Sequence, residues 1–372
     1  MTIEVSDDLR TELMEINFGP HHPSTHGIFR FIATLDGEVV VDIEPYIGYL
    51  HRGIEKLAEN KKYMTGFPLY DRLDYIASLT YELCFCLALE KLMEIEVPER
   101  AQFIRVILVE LQRISTHLIF YATTGLEAGA YTPFLYAFRE REAILRLLEM
   151  ATGARMTTNY FRIGGVKWDL PEGFEKELRK LLSKFPSRLE EYDQLLTGNE
   201  IFCQRMKNIG ILGPEIAINI GVSGPTLRGS GVRFDLRKAE PYSGYDRFDF
   251  DIPYGLKGDA YDRYLVRLQE MRQCLRIISQ AIDGLPGGDF RARVPKVIKP
   301  PAGEVYMRTE GTRGELGFYI ISDGSANPYK VKIRAPSFVN IMALKPMVVG
   351  HTVPDLILIF GSIDIVMGEI DR

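Results

Sequence analysis

Three of the six histidines lie close together near the start of the chain, in the segment GPHHPSTHG at residues 19–27. An imidazole ring can bind a metal ion, transfer a proton near neutral pH, or only form the hydrogen bonds that close a loop. His22 and His26 have the i, i+4 spacing of helical zinc sites, but Pro23 disfavours a helix and the glutamate of such sites is missing. No metal site is therefore predicted. Loop closure and proton transfer both stay open, because a loop stiffened by proline would also hold a proton-donating ring in position.

The remaining histidines and the cysteines give weaker signals. His117 lies in the apolar run RISTHLIFY, which favours a buried, hydrogen-bonded core histidine over a step in a proton path. Cys84 and Cys86 fall in a helical pattern, where residues two apart face different directions, so a shared metal ion is not expected. Four cysteines in a chain that opens without an export signal are typical of reduced thiols in the cytosol.

Composition limits the classes of function. The chain has 372 residues, a net charge of −5, 46% hydrophobic and 26% charged residues, which is typical of a soluble globular protein. The acidic balance disfavours broad nucleic-acid binding, which needs a basic face. Because no stretch of about 18 residues is uninterruptedly apolar, no membrane-spanning helix is predicted.

The periodic segments predict the elements that would position these side chains. Two apolar-rich runs flank Asp36-Gly37, which predicts a β-hairpin directly after the histidine segment. Apolar residues at helical spacing, bounded by Pro and Gly, predict five long helices at residues 68–92, 98–125, 132–153, 171–198 and 259–284. Pro186 is expected to kink or break the fourth of these helices.

These patterns together predict an α+β, helix-dominated fold. We expect an N-terminal hairpin or sheet at about residues 12–46, a central bundle of long helices at about 68–285, and two or three strands followed by a helix at about 303–372. Since no flexible linker separates these regions, residues 1–372 are expected to form a single domain.

Nine short blocks in a fixed order resemble one known family. They are GPHHPSTHG, IGYLHRGIEK, YDRLDY, TPFLYAFRERE, NYFRIGGV, RGSGVRFDLRK, RGELGFYIISDG, RAPSFVN and GSIDIVMGEIDR. From about Glu12 to Arg372 the chain is similar to the quinone-site subunit of respiratory complex I, called the D subunit in bacteria and related to the H subunit of the chloroplast complex. That family resembles the large subunit of nickel–iron hydrogenases, and the resemblance implies a hydrogenase-large-subunit-like fold.

The likeness to hydrogenases does not extend to their metal centre. Two C-x-x-C pairs supply the four thiolates that hold nickel and iron there, and soft thiolates are what such a centre requires. The matching segments here read YLHRGIEK and GSIDIVMG and contain no cysteine. A hydrogenase-type metalloenzyme is therefore disfavoured. A quinone-reducing subunit is favoured, with a nickel-free structural scaffold as its alternative.

The resemblance implies residues for a quinone pocket. His26, the last histidine of HPSTHG, and Tyr75, the tyrosine of RLDY, would face the quinone headgroup from opposite sides. Glu127, where relatives usually carry Asp, would bond the histidine, and the segment around Val366 would close one wall. A quinone that takes up two electrons develops charge on two carbonyl oxygens, and a phenol and an imidazole on opposite sides can protonate both.

The resemblance also implies a face toward a neighbouring iron–sulfur subunit. Arg52 of LHRG and Arg72 of YDRLDY would lie toward its cluster, although Arg52 could instead pair with Glu55. Many relatives carry a histidine at the position of Thr157 that is associated with pH-linked reduction of the cluster; its absence here favours a low-potential quinone such as menaquinone. His51 lies in the former metal-ligand loop, which leaves a role in a polar chain toward the membrane open.

The remaining implications concern the assembly. The resemblance implies a subunit of a proton-pumping NAD(P)H:quinone or ferredoxin:quinone oxidoreductase that acts on menaquinone, plastoquinone or ubiquinone. The chain would bind no metal or cluster itself; a 4Fe-4S cluster would lie in the adjacent subunit and NAD would bind elsewhere in the complex. The implied partners are the iron–sulfur small subunit (B type), a C-type subunit and the quinone-channel membrane subunit (H type). The implied location is the cytoplasmic side of a membrane, or the stromal thylakoid face for a plastid-type complex.

Overall fold

The structure, a computed structural model, describes residues 13–20 and 28–372. In this part of the chain the strands are β1 (Met14–Phe18), β2 (Arg30–Asp36), β3 (Val39–Tyr46), β4 (Phe161–Arg162), β5 (Gly165–Val166), β6 (Gly303–Glu310), β7 (Glu315–Ser322) and β8 (Lys330–Arg334). The helices are α1 (Ile54–Glu59), α2 (Phe67–Tyr70), α3 (Ser78–Leu92), α4 (Glu99–Glu127), α5 (Thr132–Thr152), α6 (Phe174–Tyr192), α7 (Glu200–Met206), α8 (Pro214–Ile220), α9 (Gly224–Gly229), α10 (Leu236–Ala239), α11 (Ala260–Asp283), α12 (Pro336–Asn340), α13 (Leu344–Val348), α14 (Val353–Ile363) and α15 (Met367–Asp371).

The N-terminal strands form an antiparallel sheet in the order β1-β2-β3. The hairpin predicted at Asp36-Gly37 is confirmed, with Gly37 at a φ of +62° in the turn. Alternate residues of β2 point inward, so Phe31, Ala33 and Leu35 are buried. They pack with helices α13 to α15 into a core that is separate from that of the long helices.

The long helices and the C-terminal sheet share the larger core. The predictions for α4, α5 and α11 are confirmed, with ends that differ from the predicted ones by no more than two residues. Helix α3 is buried on nearly all sides between these helices and the antiparallel sheet β6-β7-β8. The chain is thus a mixed α/β protein dominated by helices, as predicted.

The helix predicted over residues 68–92 is wrong in its first half. Helix α2 ends at Tyr70, and a series of turns at residues 71–77 precedes α3. Two carboxylates of these turns are buried and turned toward distant partners: Asp71 faces Glu82, and Asp74 is bound by Arg313 at 2.5 Å. The turns bring Asp71 and Asp74 to these partners, and a carboxylate that is buried needs such tertiary contacts, which override the local helical pattern.

Of the kink or break predicted at Pro186, the break does not occur. Helix α6 runs without interruption from Phe174 to Tyr192 through this proline. Pro186 is exposed, whereas Phe185 and Leu189 beside it are buried against the core. The carbonyl that loses its partner at Pro186 can bond water on that side, and the buried side of the helix keeps the segment helical.

Hydropathy gives one further result. Within the two described ranges, no helix combines the length and the apolar character that crossing a membrane requires.

Candidate functional site

The turns at residues 71–77 present two of the predicted site residues to the surface. Tyr75 is 43% exposed, and its hydroxyl makes no hydrogen bond to the described residues. Partial burial raises the pKa of the Tyr75 phenol, the charge of Asp74 adds to this effect, and Arg313 opposes it. Tyr75 is therefore neither fully buried nor part of a helix.

A buried ion cluster lies beneath Tyr75. The Asp74 carboxylate binds Nη1 of Arg313 at 2.5 Å, and Nη2 of the same guanidinium lies 3.5 Å from Asp364. Asp364, in turn, lies 3.7 Å from Nε of Arg267. Because all four groups are largely or fully removed from water, their mutual attraction is strong and their geometry is closely constrained. The cluster fixes the position of the turn that carries Tyr75.

The C-terminal segment packs directly on this turn. A Cβ atom on Gly368 would lie 2.7 Å from the Leu73 carbonyl oxygen, so only glycine allows the two backbones to approach so closely. Val366, two residues earlier, is buried, and its N–H donates to Oγ of Ser337 at 3.2 Å. The structure therefore places the Val366 segment and the Tyr75 turn side by side.

Glu369 fixes the same segment from inside. Its carboxylate accepts hydrogen bonds from the hydroxyl of Tyr81 at 2.5 Å and from the N–H of Ser337 at 2.9 Å. Burial raises the pKa of Glu369 to about 7, with a further contribution from Asp74 and an opposing one from Arg313. The C-terminal segment thus contains a carboxyl group that titrates near neutral pH.

Glu127 ends helix α4 and contacts helix α14. A Cβ atom on Gly361 would fall 1.8 Å from Oε2 of Glu127, so the carboxyl group lies against the backbone of α14. The preceding residue of that helix, Phe360, lies close to the end of the histidine segment, because its ring stacks on Phe29 with centroids 4.9 Å apart. Glu127 and the chain that follows the histidine segment therefore meet on α14.

His26, with His21 and His22, lies outside the described residues. The flanks of the segment are described: a Cβ on Gly19 would lie 2.1 Å from the carbonyl oxygen of Phe29, and the φ of Gly19 is +91°. The two ends of the histidine segment therefore meet, as a closed loop requires. A contact of His26 with Tyr75 or Glu127 stays a prediction.

Arg52 and Arg72 lie together at the surface. Nη2 of Arg52 donates to the carbonyl of Arg72 at 3.0 Å, and Nη1 of Arg72 donates to the carbonyl of Pro68 at 2.9 Å. Neither guanidinium forms an ion pair with a described carboxylate, and the alternative pairing of Arg52 with Glu55 is wrong, since Glu55 binds Lys332 at 2.6 Å. Two positive charges without a described ion-pair partner therefore lie together here, and Arg72 is only three residues from Tyr75.

The other two predicted histidines have protein partners. His117 is fully buried, and its Nε2 lies 2.9 Å from Oε2 of Glu270, which confirms a core histidine. Burial lowers the pKa of His117, and the Glu270 carboxylate opposes this shift. Nδ1 of His51 bonds the carbonyl of Asp371 at 2.6 Å, so this ring ties the loop between β3 and α1 to the C-terminal segment. Among the residues that the structure describes, no group of three or more His, Cys, Asp or Glu side chains has a metal-binding arrangement.

The sequence patterns did not identify the buried charged residues at the base of the Tyr75 turn. Arg313, Asp364 and Asp74 surround the base of the Tyr75 turn, yet none stood out as a candidate. A signal was present: single carboxylates such as Glu82 and Glu110 interrupt otherwise apolar helices. A charge in such a position requires a buried partner, although the sequence does not name that partner.

Known proteins resemble this chain along almost its whole length. The sequence pattern of the family described as "Respiratory-chain NADH dehydrogenase, 49 Kd subunit" matches residues 127–301 and 293–372. A relative from Dehalococcoides mccartyi strain 195, named as the D subunit of NADH-quinone oxidoreductase, is 54% identical, with 98% of this chain and 100% of the relative covered. Proteins of the same name from Carboxydothermus hydrogenoformans (53%; 98% and 100% covered) and Clostridium beijerinckii (49%; 100% of both covered) are similar.

The matches confirm the resemblance seen in the nine sequence blocks. Identities near one half over essentially complete chains leave no room for a partial or accidental likeness. The chain belongs to the family of the 49 kDa subunit of respiratory-chain NADH dehydrogenase, whose curated bacterial members are named as the D subunit of NADH-quinone oxidoreductase.

Proposed function

We propose that this chain forms the quinone-reduction pocket of a membrane-associated, proton-pumping NADH:quinone oxidoreductase, with NADPH or ferredoxin as alternative electron donors. Family membership supports the reaction class. The observation that carries the residue assignment is the partly exposed Tyr75 side chain, which is held on a turn by buried ion pairs beside the Val366 segment. A phenol with no hydrogen bond to the described residues is available to a substrate.

Proton delivery follows from the chemistry of the two donors. A quinone that accepts two electrons takes up two protons, one on each carbonyl oxygen. Tyr75 gives its phenolic proton to one oxygen; the resulting phenolate is stabilised by the nearby Arg313 guanidinium and opposed by Asp74. His26 gives a proton to the other oxygen, and Glu127 favours the protonated imidazole and orients it. The solvent then returns both protons.

The contact of Glu127, the last residue of α4, with helix α14 supports this role. Glu127 lies against Gly361, next to the residue that stacks on Phe29 at the end of the histidine segment. A glutamate is one methylene longer than the aspartate usual in relatives, and the absence of a Cβ at Gly361 provides space for its carboxyl group. Glu127→Gln should lower turnover and alter its pH profile. Glu127→Asp should keep the wild-type turnover and the wild-type pH profile.

The electron donor is an iron–sulfur cluster in an adjacent small subunit. Arg52 and Arg72 face that subunit in our proposal, because their side chains are exposed and have no carboxylate partner among the described residues. Positive charge at this face stabilises the electron-rich form of a nearby cluster. This chain itself supplies no metal ligand in the proposal, and NAD binds elsewhere in the complex.

The proposed assembly follows from this arrangement. The chain contacts the iron–sulfur subunit (B type), a C-type subunit and the quinone-channel membrane subunit (H type), on the cytoplasmic or stromal side of the membrane. Its substrate is menaquinone, plastoquinone or ubiquinone, with menaquinone favoured by Thr157. We further propose that residues 1–372 form one domain with the fold of a nickel–iron hydrogenase large subunit, in which quinone occupies the place of the metals.

Turnover of the assembled complex tests the proposal. Tyr75→Phe and His26→Ala should each lower quinone reduction by about 10²- to 10⁴-fold while the content of iron–sulfur clusters stays normal. Tyr329→Phe is the matched control, because Tyr329 is 67% exposed and lies in the loop between β7 and β8. Normal turnover in both site variants would favour the alternative, a structural scaffold without a catalytic role.

A further inference from the structure

A second pair of buried carboxyl groups lies at the base of the turns at residues 71–77. Asp71 and Glu82 are both fully buried, and their side chains are within hydrogen-bonding reach of each other. Asp71 begins the turns at residues 71–77, and Glu82 lies on helix α3. The pair therefore joins the base of the Tyr75 turn to the central helix.

The two carboxyl groups have very different surroundings. Glu82 accepts three hydrogen bonds: from Oγ1 of Thr158 at 3.0 Å and from the N–H groups of Tyr160 and Phe161 at 2.8 and 2.7 Å. Neither oxygen of Asp71 receives a hydrogen bond from a donor in the described part of the chain. Glu82 is thus stabilised as an anion, and Asp71 is not.

One proton must therefore lie between them. Two adjacent buried carboxylates repel each other, and the charged groups nearby do not hydrogen-bond to either. Arg162 donates to the carbonyls of Asn159 and Phe161. Arg72 donates to the carbonyl of Pro68. A further titratable group close to Glu82 is the buried Cys86 thiol, which burial keeps neutral by raising its pKa. Asp71 holds the proton and donates it to Glu82.

The titration of Asp71 agrees with this geometry. Burial raises the pKa of Asp71 to about 9, the charge and the hydrogen bond of Glu82 add to the shift, and Arg72 and Arg162 oppose it. The group therefore keeps its proton at neutral pH and loses it as the pH rises through about 9. Burial also raises the pKa of Glu82, but its hydrogen bonds to Asp71 and to residues 158–161 oppose that shift.

We propose that Asp71 and Glu82 are positioning residues for quinone reduction, and that the single proton they share holds the turn carrying Arg72 and Tyr75 against helix α3. This inference rests on the proposed function of Tyr75. Loss of the proton leaves two adjacent negative charges, and their repulsion releases the base of the turn. Tyr75 is four residues from Asp71, so its hydroxyl then loses its fixed position relative to the quinone.

The matched variants separate the proton from the side chain. Asp71→Leu cannot donate to Glu82 and should lower quinone turnover in the assembled complex by about tenfold or more. Asp71→Asn donates permanently through its amide; it should keep turnover near the wild-type level at neutral pH and remove the part of the alkaline decline of activity that we expect near pH 9 in the wild type. The exposed Asp246, changed to Asn, is the control and should keep the wild-type pH profile.

Two measurements do not depend on activity. In the wild-type complex, hydrogen exchange of amides 71–77 should accelerate as the pH passes about 9, beyond the ordinary chemical effect of pH, and Asp71→Asn should remove this excess. The infrared difference spectrum between the wild-type and Asp71→Asn complexes at neutral pH should contain the C=O band of a protonated carboxylic acid. Full activity of Tyr75→Phe would overturn the proposed role of Tyr75. It would not affect these two results, which test the shared proton. Absence of the band, or an unchanged alkaline decline and exchange in Asp71→Asn, would overturn the shared proton.

Discussion

The close contact at Gly368 allows a quantitative prediction about the two walls of the candidate site. In the change Gly368→Ala, the new Cβ would lie 2.7 Å from the Leu73 carbonyl oxygen and 3.3 Å from that of Arg72. Ordinary contact begins at 3.4 Å, so the first distance is too short by about 0.7 Å. Both sides of the contact are backbone, and neither can turn away as a flexible side chain would.

The expected cost combines two opposing effects. Overpacking of this kind destabilises a buried site by about 1–3 kcal/mol. Alanine favours a helix over glycine by about 0.5–1 kcal/mol, and Gly368 lies in the short helix α15. We therefore expect the free energy of unfolding to fall by about 1–2 kcal/mol. The displacement should also separate the Val366 segment from the Tyr75 turn and lower quinone turnover.

Chemical denaturation of the chain and turnover of the assembled complex are the two assays. Gly198→Ala is the matched control, because Gly198 has a φ of −93° and a Cβ there would have no neighbour within 4 Å. It should leave turnover unchanged and stability equal or slightly higher. If Gly368→Ala unfolded at the same denaturant concentration as the wild type and reduced quinone at the same rate, the C-terminal segment and the Tyr75 turn would not be in close contact.

Two further changes test the buried charges. Glu90→Gln weakens a fully buried pair with Arg105, whose Nη2 lies 2.6 Å from the carboxylate; unfolding in urea should show a loss of about 3–5 kcal/mol. The same change at the exposed Glu175 should cost about 1 kcal/mol or less. Glu369, whose pKa burial raises to about 7 from 4.5, binds its proton more tightly in the folded chain. Stability should therefore decline as the pH rises from about 4.5 to 7, and Glu369→Gln should remove this part of the decline in urea midpoints measured across that range.

The sequence predicted the long helices well because their signals are local. For α4, α5 and α11, apolar residues at helical spacing and a proline, aspartate or glycine at an end set both existence and length. The hairpin at Asp36-Gly37 has the same origin, since the dipeptide itself tolerates the backbone angles of the turn. Family membership was also readable, because nine short blocks kept their order along the chain.

The sequence predicted only part of the candidate site. The resemblance pointed to Tyr75, Arg52 and Arg72, and in the structure Arg52 donates to the carbonyl of Arg72, three residues before Tyr75. It did not predict that Tyr75 lies in a turn, because the apolar spacing over residues 68–92 favours one continuous helix. The arrangement of His26 stays a prediction.

What the sequence determined by itself was the set of helices, the hairpin and the family, all of which depend on neighbouring residues or on an ordered set of motifs. Only the tertiary structure decided where the helix after Pro68 stops and what fixes the Tyr75 turn. The reason is electrostatic: Asp74 finds its partner in Arg313, 239 residues away along the chain. Buried charges must be paired, and the cost of leaving them unpaired exceeds the few tenths of a kcal/mol per residue that local helix preference supplies.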